Sequence, residues 1–271
     1  MPELPEIETL VLELRPKLSG RTVSRALIFR KTRLFKVSPE ILKSKLPGKK
    51  VASVSRRGKF LFLNLEPAGS LVFHLGMTGR LFWSGRAEKD PHLHFGLEFE
   101  GVPEKLFFRD IRRFGGIYFW TGSEAVPEGI HKLGREPFAL TAAQFKELLK
   151  PRKGRIKSML LDQRLVAGLG NIYADEALFR SGLDPRRRPF RVPAPRLEAL
   201  HQAVCDVLQE AVRWGGSSID DYVHSDGSPG RFQEHHRVYG RAGNPCKVCG
   251  VLIRRIVIAG RSSFFCPECQ K

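Results

Sequence analysis

The sequence predicts an α+β protein in three successive parts: an N-terminal helix leading into a β-sandwich, a helical domain, and a C-terminal β-hairpin bracketed by cysteines. Three observations predict it. Short runs rich in aromatic and β-branched residues, punctuated by Gly and Pro, recur between positions 22 and 120, as half-buried strands require. Beyond position 141 the apolar period changes to that of helices. The chain then closes on Cys246-Lys-Val-Cys249 and Cys266-Pro-Glu-Cys269, two pairs separated by sixteen residues.

The cysteine pairs carry the strongest local signal. Each places two thiolates on one side of a tight turn, and Gly250 follows the first pair where such a turn needs relief. A matched double pair at this spacing predicts one tetrahedral zinc in preference to a disulfide or a redox pair. Four thiolates leave no open coordination position, so the zinc is structural and the chemistry lies elsewhere. Between the pairs, apolar runs flank Ala259-Gly260, which predicts a β-hairpin with Arg261 near its tip. The fifth cysteine, Cys205, falls within a helical pattern and reads as a core residue.

Composition narrows the partner. The 271 residues are enough for two domains, and 46 Lys+Arg against 28 Asp+Glu give a formal charge of +18. That excess points to a polyanion, nucleic acid first. No run of eighteen apolar residues exists, and the N-terminus lacks a signal-peptide layout, so the chain is expected to be soluble and intracellular, with no membrane partner.

At the N-terminus, Ile7, Leu10, Val11, Leu14 and Leu18 share one face of a helix that follows Met1-Pro-Glu-Leu-Pro-Glu6. Its prolines fall in the opening turn, where they do least harm. Glu3 and Glu6 suit the positive end of a helix, which is one reason for carboxylates there. A second reading begins with Pro2: removal of Met1 would expose a secondary amine, a nucleophile once unprotonated.

The β runs fall at 51–54, 60–65, 71–75, 92–99, 106–108 and 117–120, and their number and spacing predict a sandwich. Three interruptions stand out: Arg56-Arg-Gly-Lys59, Gly76-Met-Thr-Gly79 and Arg112-Arg-Phe-Gly-Gly116. Each is compatible with ordinary loop chemistry. Arginine beside an apolar wedge is also what a protein needs to enter a base stack and occupy the gap left by a displaced base. His92 and His94 are expected on one strand face, as phosphate contacts or surface residues and not as a metal site.

Thr141-Ala-Ala-Gln144 opens a short capped helix to Leu149, which Pro151-Arg-Lys-Gly154 ends. Further helices are expected over 156–161, over 172–180 with Asn171 as N-cap, and through Leu197, Leu200, Val204, Leu208, Ala211 and Val212 to Gly215-Gly216. A glycine-entered helix N-terminus such as Gly168-Leu-Gly-Asn171 offers backbone N–H groups to a phosphate. From 217 to about 245 the chain is polar and Gly-rich, too long a loop to be idle.

Taken together, Met1-Pro-Glu-Leu-Pro-Glu6, Arg56-Arg-Gly-Lys59, His74-Leu-Gly-Met-Thr-Gly79, Arg112-Arg-Phe-Gly115, Gly168-Leu-Gly-Asn-Ile-Tyr-Ala174, Ser225-Asp-Gly227, Val238-Tyr-Gly-Arg241 and the cysteine hairpin with Gly260-Arg-Ser-Ser-Phe-Phe265 resemble bacterial formamidopyrimidine-DNA glycosylases. The resemblance spans the chain in order. It implies a helix-two-turn-helix in the helical domain, damaged duplex DNA held in the cleft between the halves, and excision of 8-oxoguanine and formamidopyrimidines followed by strand cleavage. Domains are expected over 1–135 (catalytic), 136–225 (helical, DNA-binding) and 226–271 (loop end and zinc hairpin), in a monomeric cytoplasmic protein of the bacterial cell.

Site roles follow from the resemblance position by position. Pro2 would be the nucleophile and Schiff-base former, Glu3 its acid/base partner, and Glu6 a support behind it. Lys59 would assist base release and β-elimination, and Arg261 δ-elimination and phosphate binding. Arg112 would face the orphaned cytosine, with Met77 and Phe114 filling the void. His74, His92, Lys153, Lys157, Asn171 and Tyr239 match or lie near DNA contacts. Ile111 stands where a proline is expected before the two arginines, and the 217–239 loop, which closes over the everted base in this family, is the least patterned stretch. An endonuclease VIII-like enzyme for oxidised pyrimidines and a non-catalytic zinc-hairpin DNA-binding protein are the alternatives. Leu4 and the arginine-phenylalanine loop favour the purine side, and a mere binder would not need Pro2 or Glu3.

Overall fold

The computed structural model describes residues 1–85, 90–121, 128–219 and 221–271, so Asp220 of the polar loop lies outside the described residues. The chain forms two compact units, each built from two pieces of sequence: Met1–His131 with Trp214–Arg231, and Lys132–Arg213 with Phe232–Lys271.

In the first unit, α1 (Leu4–Leu18) begins where expected, and Ile7, Leu10, Val11, Leu14 and Leu18 are all buried. Burying each such side chain contributes about 1.5–3 kcal/mol, which fixes this short helix on the sandwich. The sandwich has two four-stranded antiparallel sheets. One is ordered β2 (Lys50–Arg57), β3 (Phe60–Glu66), β4 (Ser70–His74), β8 (Gly116–Trp120). The other is ordered β1 (Val23–Ile28), β6 (Leu93–Phe99), β7 (Val102–Asp110), β5 (Gly79–Ser84). A single core joins the sheets and α1. At its centre the ring of Phe73 on β4 lies 6.0 Å from Phe95 on β6 and 5.7 Å from Phe108 on β7, aromatic spacings that add to area burial.

Three elements here escaped the sequence pattern: β1, β5 and α2 (Pro39–Lys45). In β1 the buried positions do not alternate, so the period of two is lost. β5 starts on Gly79, the residue read as the end of a turn. A four-residue helical turn, α3 (Glu128–His131), completes the first chain piece.

The second unit is helical around α4 (Ala142–Leu149), α5 (Ile156–Leu161), α6 (Asn171–Arg180) and α7 (Ala194–Arg213). The capping box forms as expected: Gln144 N–H donates to Thr141 Oγ1 at 3.2 Å, and Thr141 N–H donates to Gln144 Oε1 at 3.1 Å. Leu197, Leu200, Val204, Leu208 and Ala211 of α7 are buried against this helix set. Cys205 is only half-buried on α7, with Sγ 3.7 Å from Nε2 of His201, so it borders the core and does not fill it.

The cysteine segment forms the hairpin β9 (Arg254–Ile258) and β10 (Arg261–Phe265), paired antiparallel. Its turn has both central residues in the left-handed region, Ala259 at φ 49° and Gly260 at φ 72°. That is the two-residue turn whose twist matches paired strands. Among the described residues no helix is long and apolar enough to cross a membrane.

Candidate active site and nucleic-acid contacts

Helix α1 sets the N-terminal residues. Pro2 and Glu3 are buried, and Met1 is exposed. Glu3 is the N-cap of α1, and its N–H donates to Glu6 Oε2 at 2.7 Å. The other oxygen of Glu6 accepts the N–H of Ser217 at 2.8 Å. Both oxygens of Glu6 therefore hold backbone, which suits an orienting group and not a proton carrier. Gly216 permits this approach: a Cβ there would lie 2.8 Å from Glu6 Oε1.

The segment carrying Ser217 is fastened along one face of α1. Ser225 N–H donates to Glu13 Oε2 at 2.7 Å, His224 Nδ1 lies 3.0 Å from Glu13 Oε1, and Lys17 Nζ donates to Ser225 Oγ at 3.3 Å. Tyr222 is buried in the same core, its hydroxyl donating to the Glu6 carbonyl at 3.3 Å. Burial, then the charges of Glu6 and Glu13, hold its phenol well above the usual range.

Lys59 is buried in the turn joining β2 to β3. Within the same cationic cluster Arg56 is paired with Glu8. His74, at the end of β4, lies with its ring 4.8 Å from that of Phe60. Burial, reinforced by the charge of Lys59, lowers its pKa to about 4. At neutral pH it is therefore an uncharged imidazole.

Met77 and Phe114 are both exposed, and the Arg112 guanidinium lies 4.7 Å from the centre of the Phe114 ring. Arg33 approaches the same ring at 5.6 Å and donates through Nε to the Arg113 carbonyl at 3.2 Å. The two interruptions of the sandwich thus present one apolar and arginine-faced surface. The histidines depart from expectation. His92 precedes β6 in a turn, where its N–H donates to Asp90 Oδ1 at 2.7 Å. His94 is fully buried with Nε2 3.0 Å from the Asp110 carbonyl. A register shift in β6 between Leu93 and Phe95 separates them, so they share no strand face, and His94 is neither a phosphate contact nor a surface residue.

In the second unit, Asn171 is the first residue of α6 and Gly170 is its cap, a one-residue shift from expectation. The freed side chain instead donates through Nδ2 to the Ser262 carbonyl of β10 at 3.0 Å. Lys153 is exposed in the loop before α5. Lys157, expected at or near a DNA contact, is fully buried: Nζ lies 2.7 Å from Asp175 Oδ1 and donates to the Ser262 carbonyl at 2.9 Å. Its ammonium seats the hairpin, because a buried charge requires a partner and the carboxylate on α6 supplies one.

Sequence reasoning missed the neighbouring acids Asp175 and Glu176. Asp175 accepts the Phe264 N–H at 2.9 Å. Glu176 accepts the N–H groups of Arg237, Val238 and Tyr239 at 2.9, 2.9 and 2.8 Å. Burial raises the pKa of both, against the pull of these donors and, for Asp175, of Lys157. Tyr239 is thereby held beside β10, its ring edge-on to Phe264 at 5.1 Å. Two consecutive acids within a mostly apolar helix of a basic chain were the available signal. Arg261 is exposed as the first residue of β10, directly after the turn.

The four sulfurs of Cys246, Cys249, Cys266 and Cys269 lie within 4.8 Å of one another. Cys246 to Cys269 is 3.9 Å and Cys249 to Cys266 is 3.4 Å. Zn–S bonds of about 2.3 Å in a tetrahedron require sulfur–sulfur edges of roughly 3.8 Å, so the donor set fits zinc. Val248 and Cys269 point their N–H groups at Cys246 and Cys266 Sγ, each at 3.4 Å, which stabilises thiolate charge. Gln270 ties the knuckle to the helices, accepting from Cys266 N and donating to the Leu183 carbonyl, both at 2.8 Å.

A β-sandwich with arginine and aromatic loops, and a helical unit bearing a four-thiolate hairpin, define a class of basic zinc-hairpin proteins suited to a polyanion. Residues 1–117 match the formamidopyrimidine-DNA glycosylase N-terminal domain, 133–223 its H2TH domain, and 243–271 the zinc finger found in FPG and IleRS. The chain is 46% identical to the formamidopyrimidine-DNA glycosylase of Solibacter usitatus and 42% identical to that of Paracoccus denitrificans, each match covering 100% of both chains. The crystal structure of the MutM (Fpg) protein from Thermus thermophilus superposes with a TM-score of 0.88 at 42% identity, covering 99% of this chain and 98% of that one. The complex of Lactococcus lactis Fpg with DNA containing Fapy-dG gives 0.90 at 34% identity, covering 99% and 100%. The chain belongs to the formamidopyrimidine-DNA glycosylase family, and its four cysteines hold one structural zinc.

Removing that zinc is expected to loosen the hairpin carrying Arg261 and weaken binding to damaged DNA, because metal binding and folding are linked in such small sites. Chelation or Cys266→Ser, followed by metal analysis and a binding titration, checks this. A metal-free protein that bound and cut normally would refute it.

Proposed function

We propose that this chain performs base-excision repair on duplex DNA, removing 8-oxoguanine and formamidopyrimidines and then cleaving the strand as an AP lyase. The observation that carries the reading is the arrangement at the N-terminus: Pro2 and Glu3 buried side by side, with Glu6 committed to holding the backbone around them. After loss of Met1, the Pro2 amine attacks C1′, a nitrogen–carbon bond forms, and the glycosidic electron pair departs with the base. Glu3 exchanges the proton that opens the sugar ring, leaving an iminium. The iminium acidifies the C2′ proton, whose loss expels the 3′ phosphate, and a second elimination expels the 5′ phosphate.

Lys59 assists base release and the first elimination, and Arg261 the second elimination and the phosphate. Arg112 faces the orphaned cytosine while Met77 and Phe114 fill the void, a role supported by their shared exposed surface. His74, His92, Lys153, Asn171 and Tyr239 are assigned to the DNA backbone. Lys157 acts through the hairpin it seats. The formal charge of +18 supplies the long-range attraction for a monomer acting on chromosomal DNA in the bacterial cytoplasm.

Duplexes carrying either 8-oxoguanine or an oxidised pyrimidine test the reading. Excision of the purine lesion opposite cytosine is expected to dominate. A dominant pyrimidine product would support the endonuclease VIII-like alternative, and binding without any product would support the non-catalytic one. With the purine lesion, Arg112→Ala should reduce discrimination between cytosine and adenine opposite it by ~1–3 kcal/mol, the worth of a bidentate base contact. An unchanged preference would remove Arg112 from the void.

A further inference from the structure

We propose that Asp110 is a positioning residue that locks the Met77 loop and the Arg112–Phe114 loop into one rigid wedge, so that recognition of the orphaned base depends on a carboxylate that never reaches the DNA. The inference rests on the void-filling role assigned above. Asp110 ends β7 and is fully buried. A buried carboxylate persists only where its oxygens are satisfied, and here the two oxygens take donors from both loops. Thr78 donates its hydroxyl to Oδ1, and Gly115 donates its N–H to Oδ2 at 2.9 Å. The Thr78 oxygen in turn accepts the Arg112 N–H at 3.0 Å.

Each wedge side chain is therefore tied to this carboxylate. Met77 adjoins Thr78, Phe114 adjoins Gly115, and Arg112 is reached through the Thr78 hydroxyl. The main chain of Asp110 is fixed as well, its N–H donating to the His92 carbonyl at 3.0 Å and its carbonyl facing His94 Nε2 at 3.0 Å. No slack separates the loops, since a Cβ on Gly76 would lie 2.5 Å from the Phe114 carbonyl carbon. Arg113 is held at φ 56°, a left-handed conformation that a non-glycine residue adopts only under constraint. Charge-assisted hydrogen bonds are the stronger kind, and through them one carboxylate sets the aim of three exposed side chains.

The test compares Thr78→Val, which keeps the shape and removes the relay hydroxyl, with Thr78→Ser, which restores it, alongside Asp110→Asn and Arg112→Ala. The readout is the ratio of 8-oxoguanine excision rates opposite cytosine and adenine, each variant being compared at equal folded fraction judged from its Tm. Thr78→Val and Asp110→Asn are expected to lower the ratio at least roughly fivefold, toward that of Arg112→Ala, and Thr78→Ser to recover it. If Asp110→Asn does not fold, the Thr78 pair still decides. A wild-type ratio in Thr78→Val with a reduced one in Arg112→Ala overturns the positioning role alone. A wild-type ratio in Arg112→Ala overturns the void assignment and this inference with it.

Discussion

A form of the protein that retains Met1 is expected to give no borohydride-trapped adduct with damaged DNA, whereas the processed chain gives one on its N-terminal residue. Only processing creates the secondary amine of Pro2. An α-amino group titrates near 8 and a lysine near 10.4, so at neutral pH the unprotonated fraction of the former is larger by roughly a hundredfold or more. Glu3→Gln should cost ~10²–10⁴ in base excision, the range for a positioned proton-transfer group. It keeps the size of a residue that is buried, which separates lost chemistry from lost packing. Lys59, buried in the turn between β2 and β3, is the rival amine. Peptide mapping of the adduct decides: a sugar on Lys59, or full trapping by Pro2→Gly with Met1 retained, would end the N-terminal mechanism.

The second large effect is expected in the helical unit. Lys157→Met strands the Asp175 carboxylate, and Asp175→Asn strands the Lys157 ammonium, in a site with no exposed surface at either side chain. Breaking one side of such a pair costs about 3–5 kcal/mol, whereas replacing both by apolar groups of similar volume is often nearly neutral. Urea unfolding, followed together with zinc release, measures the loss, because Ser262 and Phe264 of the hairpin are bonded to the same pair. The sign of the pH effect is also fixed. Burial pushes the Asp175 carboxyl upward, and the Lys157 charge beside it is the chief pull in the other direction. Without Lys157 the folded state binds a proton that the unfolded state has released above about 4. The variant should therefore lose stability as pH rises from 5 to 8. A cost below ~1 kcal/mol, or a loss that shrinks with rising pH, would contradict the pair's role.

What could be read from the sequence was what local rules determine. The 3.6-residue apolar face of α1, the Thr141–Gln144 capping box and the cysteine spacing each act within a few residues, and each is present in the fold. The Ala259-Gly260 turn is local in the same sense. Misreadings arose where burial is decided by distant partners. The sequence places Lys157 near DNA contacts and His94 among phosphate contacts or surface residues, and both are interior, where the Asp175 carboxylate and the Asp110 carbonyl supply the polar partners that burial requires. Strand β1 is held by pairing with β6, some seventy residues on, with little local signal of its own. The polar stretch beginning at Ser217 had no periodicity because side chains of Glu6, Glu13 and Lys17 hold it.

That last attachment bears on how the protein is made. The first unit is completed by residues 214–231, yet the chain between its two pieces belongs to the other unit. When the ribosome has released His131, the core still lacks Tyr222, and Glu6 and Glu13 still await their backbone donors. At ~5–20 residues per second, the missing strand of chain arrives roughly 5–20 s later. The surroundings of Pro2 thus come together only when most of the polypeptide exists, so a nascent or prematurely terminated chain carries its N-terminus without the packing that encloses it in the finished fold.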